Sequence, residues 1–251
     1  MNQSKTKYYL LIILIFPLVI FLTLGYKNIN SFTFSKTEEW DQNLIHSIQS
    51  NRMLINNTVS YINLGTPPKN SSKVTQDELA YLISLKKERT EEKVKEIKSE
   101  INIEYWIFDN KFFYEYLQDK QYSEFLLSEL STLYPITLYQ KQIFDRARPY
   151  ILDSNVDPIL YPKHPAYPSG HATQAYFLAE LFSLINPSKK EIYFANAKVI
   201  AHNREIAGVH YPSDSQAGKE LAQQYLKFRL SDNSFITNLK KAKDSLSLEK
   251  N

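Results

Sequence analysis

Cysteine is absent from this chain of 251 residues. Disulfides, thiolate metal sites and cysteine nucleophiles are therefore excluded together. Glycine is also scarce, with 5 residues in the whole chain, while Leu, Lys, Glu and Ile are abundant. This composition favours helices over a turn-rich β fold. Gly170, Gly208 and Gly218 lie in one short stretch, where they predict close backbone approach or special dihedral angles.

Charge of one sign is lacking as well. The net charge is +3, and lysines and acidic residues are interspersed, so the sequence predicts no nucleic-acid partner. The chain has 5 histidines, which disfavours a His-rich metal site, and we expect neither a metal nor a cofactor. An apolar content of 43% is ordinary for a globular protein. Residues 31–251 are long enough for one large domain.

The N-terminus contains an uncharged apolar run at residues 8–26, with lysines on both sides. A run of this length is enough to span a bilayer as a helix. Its exit shows no A-x-A pattern, which favours an uncleaved anchor over a cleaved signal peptide, although residues 1–30 fit both. Either reading predicts a periplasmic or other extracytoplasmic domain, membrane-anchored by residues 8–26 or secreted.

Helical signals continue through most of the chain, and no period-two pattern indicates strands. We therefore expect an all-α helical bundle preceded by one apolar helix. Residues 28–74 are polar and predicted to be irregular, residues 101–140 are predicted to be packed helices, and residues 150–168 a loop. Thr75 with Glu78 is expected to open a helical stretch to about Glu100, and a helix is expected from Gly170 to about Ile185. Ser188 with Glu191 is expected to open a helix to about Gly208. Ser213 is expected to cap a helix to about Leu230, and a last helix is expected at 233–247.

Polar residues that can bind an anion recur in ordered clusters. These residues are Lys141 and Arg148, then Ser169, Gly170 and His171, and finally Arg204, His210 and Asp214. Two arginines and a lysine can neutralise a dianion, and guanidinium groups pair with phosphate oxygens bidentately. The backbone N–H groups at a helix start form a natural anion site, where glycine allows close approach.

Two of the histidines in these clusters can divide the work of nucleophile and general acid. Asp214 can accept the Nδ1–H of His210 across the turn at Pro212, which leaves the other ring nitrogen free to attack. A metal site would need more carboxylates than these clusters contain. The remaining histidines are interpreted as structural or exposed, and these are His46, His164 and His202.

The segments KQIFDRARP, PSGH and NREIAGVHYPSD resemble the three-part signature of the type 2 phosphatidic acid phosphatase superfamily, here spanning 141–214. That superfamily includes bacterial class A non-specific acid phosphatases, lipid phosphatases and vanadium-dependent haloperoxidases. The flanking stretches AYPSGHATQAYFLAELFSLINP and DNSFITNLKKAKDSL are most similar to the class A acid phosphatases. One position departs from the signature, because Asn203 stands where serine is usual.

The resemblance implies a helical bundle that needs no metal and hydrolyses small phosphate esters. It implies that Lys141, Arg148, Ser169, Gly170 and Arg204 hold the phosphate. It also implies that His210 forms a phosphohistidine, that His171 protonates the leaving group and that Asp214 orients His210. A lipid phosphate or diphosphate phosphatase and, with less support, a vanadium-dependent haloperoxidase remain alternatives. An oligomer is compatible with the sequence, which does not determine the natural substrate.

Overall fold

The computed structural model describes residues 29–101 and 120–248. Within these ranges the regular elements are all helical, and the extended backbone is limited to one antiparallel bridge between Thr33 and Arg146. The α-helices are α1 Phe34–Thr37, α2 Gln42–Ser50, α3 Arg52–Val59, α4 Lys73–Ser84, α5 Glu91–Ser99, α6 Lys120–Phe144, α7 Pro149–Leu152, α8 Gly170–Ile185, α9 Lys190–Ile206, α10 Pro212–Arg229 and α11 Asn233–Leu248. Short 3₁₀ turns join several of them, at Ile29–Ser31, Leu85–Glu88, Ser154–Val156 and Pro187–Lys189. The predicted all-α class is confirmed.

Helix α8 lies at the centre of the bundle. It packs against α9 and α10 over most of its length and also contacts α6. Apolar residues occur on nearly every side of α8, and Phe177, Leu178, Leu181 and Phe182 are fully buried. A helix that is apolar all round belongs in a core, so the sequence of α8 itself dictates its central place.

The segment 28–74, predicted to be irregular, instead contains α1, α2 and α3. Asp41 caps α2 by accepting a hydrogen bond from the Asn43 N–H at 2.8 Å. Ile48 on α2 and Ile55 on α3 are buried in the main core, where both helices contact α6. Such short helices are marginal alone, so packing against α6 stabilises what local sequence signals only weakly.

The predicted capping residue of α4 is wrong. Ser72, not Thr75, precedes the helix, and its hydroxyl accepts from the Thr75 N–H at 3.2 Å. The predicted partner Glu78 instead accepts a hydrogen bond from the backbone N–H of Ser213 at 2.6 Å. Ser213 therefore lies inside the first turn of α10, which begins at Pro212, and does not cap it.

The predicted long helix to Glu100 is also interrupted. The 3₁₀ turn at Leu85–Glu88 separates α4 from α5, and Thr90 caps α5 by accepting from the Lys93 N–H at 3.2 Å. The predicted capping box at Ser188 does not form, since its hydroxyl donates to the Asn186 side chain. The expected helices at 170–185 and 233–247 are confirmed by α8 and α11.

The expected apolar helix at residues 8–26 lies outside the described residues. Within residues 29–101 and 120–248, none of the helices combines the length and the apolar character that a membrane crossing requires.

Gly218 sets the distance between α8 and α10. A Cβ atom at this position would lie 2.7 Å from the Ser169 carbonyl oxygen, 2.9 Å from the Ala172 Cβ and 3.0 Å from the Thr173 nitrogen. These neighbours include backbone atoms at the start of α8, which have little freedom to move. The cluster of glycines noted in the sequence therefore does mark a close backbone approach here.

We expect Gly218→Ala to lower the free energy of unfolding by about 1–3 kcal/mol, because overpacking outweighs the gain of about 1 kcal/mol in helix propensity. Thermal unfolding monitored by circular dichroism measures the change. Gly65→Ala is the matched control, since a Cβ there meets nothing within 4 Å. A Gly218→Ala protein as stable as the control would contradict the close packing of α8 on α10.

Candidate active site

His210 and Asp214 form a buried pair at the junction between α9 and α10. Gly208, with a φ of +73°, ends α9 in a left-handed conformation and turns the chain toward α10. His210 Nδ1 lies 3.2 Å from Asp214 Oδ2, which also accepts the Tyr211 N–H at 3.0 Å. Asp214 is fully buried and His210 is 3% exposed. The turn at Pro212 thus allows the contact that the sequence predicted.

Arg148 approaches His210 from the other side. Its Nη1 lies 3.1 Å from His210 Nε2 and donates to the Val209 carbonyl oxygen at 2.6 Å. Its Nε donates to the His164 carbonyl oxygen at 3.0 Å. Within the described residues, no carboxylate pairs with Arg148. The guanidinium is therefore held by neutral groups and keeps its full positive charge beside the imidazole.

Lys141, near the end of α6, is a second buried cation of this kind. Its Nζ donates to the carbonyl oxygens of Pro165, Ala166 and Pro168, at 2.9, 3.2 and 2.6 Å. In the part of the chain that the structure describes, no carboxylate forms a salt bridge with Lys141. Carbonyl oxygens satisfy the hydrogen bonds of the ammonium but do not cancel its charge.

The start of α8 closes another side of the site. Ser169 is the N-cap, and its side chain accepts from the Ala172 N–H at 3.4 Å, while its own N–H donates to the Asp214 carbonyl oxygen at 2.9 Å. Gly170 opens the helix, and the nearest atom to a Cβ there would be Lys141 Cε at 3.9 Å. The first N–H groups of a helix lack intrahelical acceptors, so they favour an anion at this place.

Arg204 and His171 are both tied to the end of α5. Arg204 Nη2 pairs with the Glu100 carboxylate and donates to the Ile97 carbonyl oxygen at 2.9 Å. Its buried Nε and Nη1 have no hydrogen-bond partner among residues 29–101 and 120–248. His171 Nε2 lies 2.8 Å from the Glu100 carbonyl oxygen, to which it donates. Arg204 thus retains two N–H groups for a further acceptor.

A cavity of about 760 Å³ joins these elements. Six of the eight predicted site residues line it, namely Lys141, Arg148, Gly170, His171, Arg204 and His210. Ser169 and Asp214 do not line it, but each contacts an element that does, Ser169 at the start of α8 and Asp214 at His210. The rest of the lining is largely apolar and includes Leu130, Tyr134 and Leu138 on α6. The three sequence segments therefore converge on one concave site.

Four residues that the sequence reading left out belong to this site. His164, interpreted as structural or exposed, lines the cavity and places its Nδ1 3.0 Å from Arg148 Nη2. Arg146 contacts Asp214, Glu78 contacts Arg146, and Glu100 pairs with Arg204. The cluster of charge around KQIFDRARP was the only signal in the sequence for Arg146, and nothing local marked the two glutamates.

The site holds its histidines neutral. Burial lowers the pKa of His210 well below its usual range, and the positive charge of Arg148 adds to this effect against the opposing hydrogen bond to Asp214. Burial followed by Arg204 lowers the pKa of His171 to about 3. Burial, then Lys141 and Arg148, lowers the pKa of His164 as well. Neutral His210 with Nδ1–H donated to Asp214 has its lone pair on Nε2.

The pKa values of two buried cations, Lys141 and Arg148, and of Asp214 are lowered as well. Burial lowers the pKa of Lys141 well below its usual value, with Arg148 contributing, and lowers the pKa of Arg148 to about 10. Burial raises the pKa of Asp214, but Arg146 first and His210 next outweigh it and bring that pKa below its usual value. An anion in the cavity would relieve the cost of burying these positive charges.

Among residues 29–101 and 120–248, no group of three or more His, Asp or Glu side chains is placed to hold a metal ion.

Residues 122–222 match the family model of the PAP2 superfamily, which confirms the resemblance predicted from the three motifs. A non-specific acid phosphatase of Providencia stuartii is 32% identical over 82 residues, which cover 33% of each chain. The chain therefore spans about a third of the length of this curated relative.

A solved structure, described as that of the first bacterial vanadium-dependent iodoperoxidase, also matches. It is 14% identical, with a TM-score of 0.44, over 66% of this chain and 52% of that chain. This likeness covers about half of the iodoperoxidase chain, and the helical fold is established from the helices of the protein itself.

The buried histidines predict how stability depends on pH. In the unfolded chain a histidine has a pKa of about 6.5, whereas His164, His171 and His210 have lower values when folded. Below about pH 6.5 the unfolded state therefore binds more protons, and stability falls as the pH falls. We expect His164→Asn to reduce this slope by up to about 1.4 kcal/mol per pH unit.

Chemical unfolding at several values between about pH 7.5 and pH 5, without phosphate, measures the slope. His202→Asn provides a control of opposite sign. A hydrogen bond that His202 donates to the Glu205 carboxylate raises the pKa of His202, so its contribution to stability is complete at low pH and is lost as the pH rises. His202→Asn should therefore steepen the loss on acidification. An unchanged slope for His164→Asn would contradict a lowered pKa, since it would show that His164 has the same pKa in the folded and unfolded states.

Proposed function

We propose that this protein is a metal-independent phosphatase that hydrolyses phosphomonoesters through a phosphohistidine at His210. The observation that carries the proposal is the environment of His210. Its neutral ring is fixed by Asp214 at Nδ1, while Nε2 lies beside buried cations that have no carboxylate partner in the described part of the chain. A neutral nucleophile beside an uncompensated positive site suits an electrophile that is itself a dianion.

The reaction follows from this geometry. The phosphate oxygens bind beside the charge of Lys141, to Arg148 and to the two N–H groups of Arg204 that have no partner among the described residues, and the phosphorus faces His210 Nε2. The Nε2 lone pair forms a bond to phosphorus while the bond to the ester oxygen breaks, and the leaving oxygen takes a proton. Asp214 stabilises the positive charge that develops on the His210 ring. Water then attacks phosphorus and gives a proton to His171, which donated one to the leaving group, as the bond to Nε2 breaks and phosphate is released.

We propose that His171 supplies the proton to the leaving group. Donation of its Nε2–H to the Glu100 carbonyl leaves Nδ1 as the nitrogen that can give or accept a proton. The pKa of His171, about 3 because of burial and Arg204, is too low for a proton donor near neutral pH. A phosphate dianion in the cavity acts in the opposite direction and raises that pKa, so protonation is coupled to substrate binding.

Small phosphate esters are the proposed substrates, since the Providencia stuartii relative is named a non-specific acid phosphatase. The match to the PAP2 superfamily supports a phosphatase-type activity more broadly. We also propose an extracytoplasmic location, because the uncharged run at residues 8–26 is long enough to anchor or export the domain.

Hydrolysis of p-nitrophenyl phosphate in excess EDTA tests this function. The full chain in detergent is assayed across about pH 4–8, together with His210→Ala. We expect the wild type to turn over and the variant to lose at least about 10³-fold in kcat, because the nucleophile is missing. Trapping of a phosphorylated wild-type protein that is absent from His210→Ala identifies the covalent step.

A wild-type protein that releases no phosphate from soluble esters would contradict the proposal. Turnover confined to detergent-dispersed lipid phosphates would instead assign the site to lipid substrates. Oxidation of bromide by peroxide only after vanadate is added would identify a haloperoxidase.

A further inference from the structure

The segment between α6 and α7 presents two arginines to opposite ends of the His210–Asp214 pair. Arg146 is extended, since it forms the antiparallel bridge with Thr33, and its carbonyl oxygen accepts from the Ala166 N–H at 3.0 Å. Residues i and i+2 of an extended segment lie on the same face, so Arg146 and Arg148 both point toward the His210–Asp214 pair. Arg148 reaches His210 Nε2 at one end of the pair, whereas Arg146 reaches Asp214 Oδ1 at the other.

Arg146 is held more tightly than any ordinary surface cation. Its Nη1 lies 2.6 Å from Asp214 Oδ1 and 2.8 Å from Ser213 Oγ, and its Nη2 lies 3.3 Å from Glu78 Oε2. Its guanidinium carbon is 3.9 Å from the centroid of the Tyr211 ring. Arg146 is 4% exposed, so these contacts fix its side chain in a single place.

Glu78 completes the arrangement from α4. Its carboxylate accepts from the Ser213 N–H at 2.6 Å and from the Ser213 hydroxyl at 3.0 Å, in addition to Arg146. The first turn of α10, which carries Asp214, is thereby attached to α4. Arg146 lies between two buried carboxylates, and its charge compensates the one that contacts His210.

We propose that Arg146, held in place by Glu78, is a positioning residue that keeps Asp214 oriented and able to accept the Nδ1–H of His210. This inference rests on the proposed function of His210 as the nucleophile. Arg146 does not touch the substrate, because it lies behind Asp214 and does not line the cavity. It acts through Asp214 on the tautomer of the nucleophile.

The physical reason lies in the balance of charges around Asp214. The charged and titratable groups that face it are Arg146, His210, Lys141, Arg148, Glu78, Tyr167 and Tyr211. Burial alone would raise the pKa of Asp214, and Arg146 is the largest influence that lowers it. A protonated Asp214 can donate its O–H to Nδ1, which favours the His210 tautomer that carries its proton on Nε2 and has no nucleophilic lone pair there.

The test compares Arg146→Met and Arg146→Lys with the wild type in p-nitrophenyl phosphate hydrolysis. We expect Arg146→Met to lower kcat at least about tenfold with little change in KM, because the residue does not bind substrate. The acid limb of the pH profile of kcat should move to higher pH in Arg146→Met, since Asp214 is protonated more easily without Arg146. Arg146→Lys should recover part of kcat and part of the shift.

Arg229→Met is the matched control for loss of a buried ion pair. Arg229 pairs with Glu129 at 2.8 Å and lies over the Phe235 ring, away from the cavity. The Arg229→Met substitution should lower the melting temperature of the protein without moving the acid limb of the pH profile of kcat. Arg146→Met that behaves like this control, with only its melting temperature lowered, would overturn the proposal.

A double-mutant cycle with Asp214→Asn locates the effect, because residues that act through one another are not additive. Arg146→Lys should cost little further kcat once Asp214 is replaced. Additive losses would show that Arg146 acts elsewhere. This cycle also uses the conservative lysine variant, so it remains decisive if Arg146→Met does not fold.

A nitrogen NMR spectrum of His210 separates this inference from the proposed function. The wild type should show a proton on Nδ1, and Arg146→Lys should show a larger share of the Nε2–H form. If the wild type has no phosphatase activity, the proposed function fails, and the spectra still decide whether Arg146 controls the tautomer. Identical spectra for the two proteins would refute the positioning role.

Discussion

Positive charge that is buried without carboxylate partners among the residues that the structure describes is the constraint around which this structure is arranged. Lys141 and Arg148 lie within a few ångströms of the His210 and α8 region, and neutral carbonyl oxygens, with imidazole nitrogens at Arg148, satisfy them. Such a cluster is costly unless an anion shares the site. Ion pairs reduce the free-energy cost of burying the other two cations, since Glu100 neutralises Arg204 and Asp214 neutralises Arg146. The surplus charge therefore faces the cavity, where it can act on a ligand.

The helical bundle fixes the positions of these buried cations relative to His210. The start of α8 touches both halves of the arrangement, because the Ser169 N–H donates to the Asp214 carbonyl oxygen while Gly170 lies beside Lys141. The close approach of α10 at Gly218 makes the first contact achievable. The apolar core around α8 supplies the rigidity. A loosely packed core would allow the cations to separate, and their positions relative to His210 would then vary.

The two arginines on either side of Ala147 divide the electrostatic work. Arg148 adds its positive charge to the effect of burial in lowering the pKa of His210 and faces Nε2, while Arg146 keeps the carboxylate behind the ring ionised. Nε2 is thus kept free of a proton, and the hydrogen bond to Asp214 holds the proton on Nδ1. The end of α5 plays a parallel role on another side of the cavity, since it orients His171 through a backbone carbonyl and Arg204 through the Glu100 side chain.

The sequence by itself determined the helical class, the extent of α8 and α11, and the eight residues of the candidate site, because these depend on local periodicity and on short motifs with defined spacing. It did not determine the true cap of α4, since Ser72 and Thr75 are both acceptable caps and only the packed structure chooses between them. Glu78 and Glu100 were not predicted to belong to the site, because they meet their arginines across 68 and 104 residues of chain. The contact of His164 with Arg148 was not predicted for the same reason, since only folding brings the two side chains together. Side chains that act through long-range contacts are decided only by the tertiary structure, because the energy of a buried charge depends on which groups the fold brings around it.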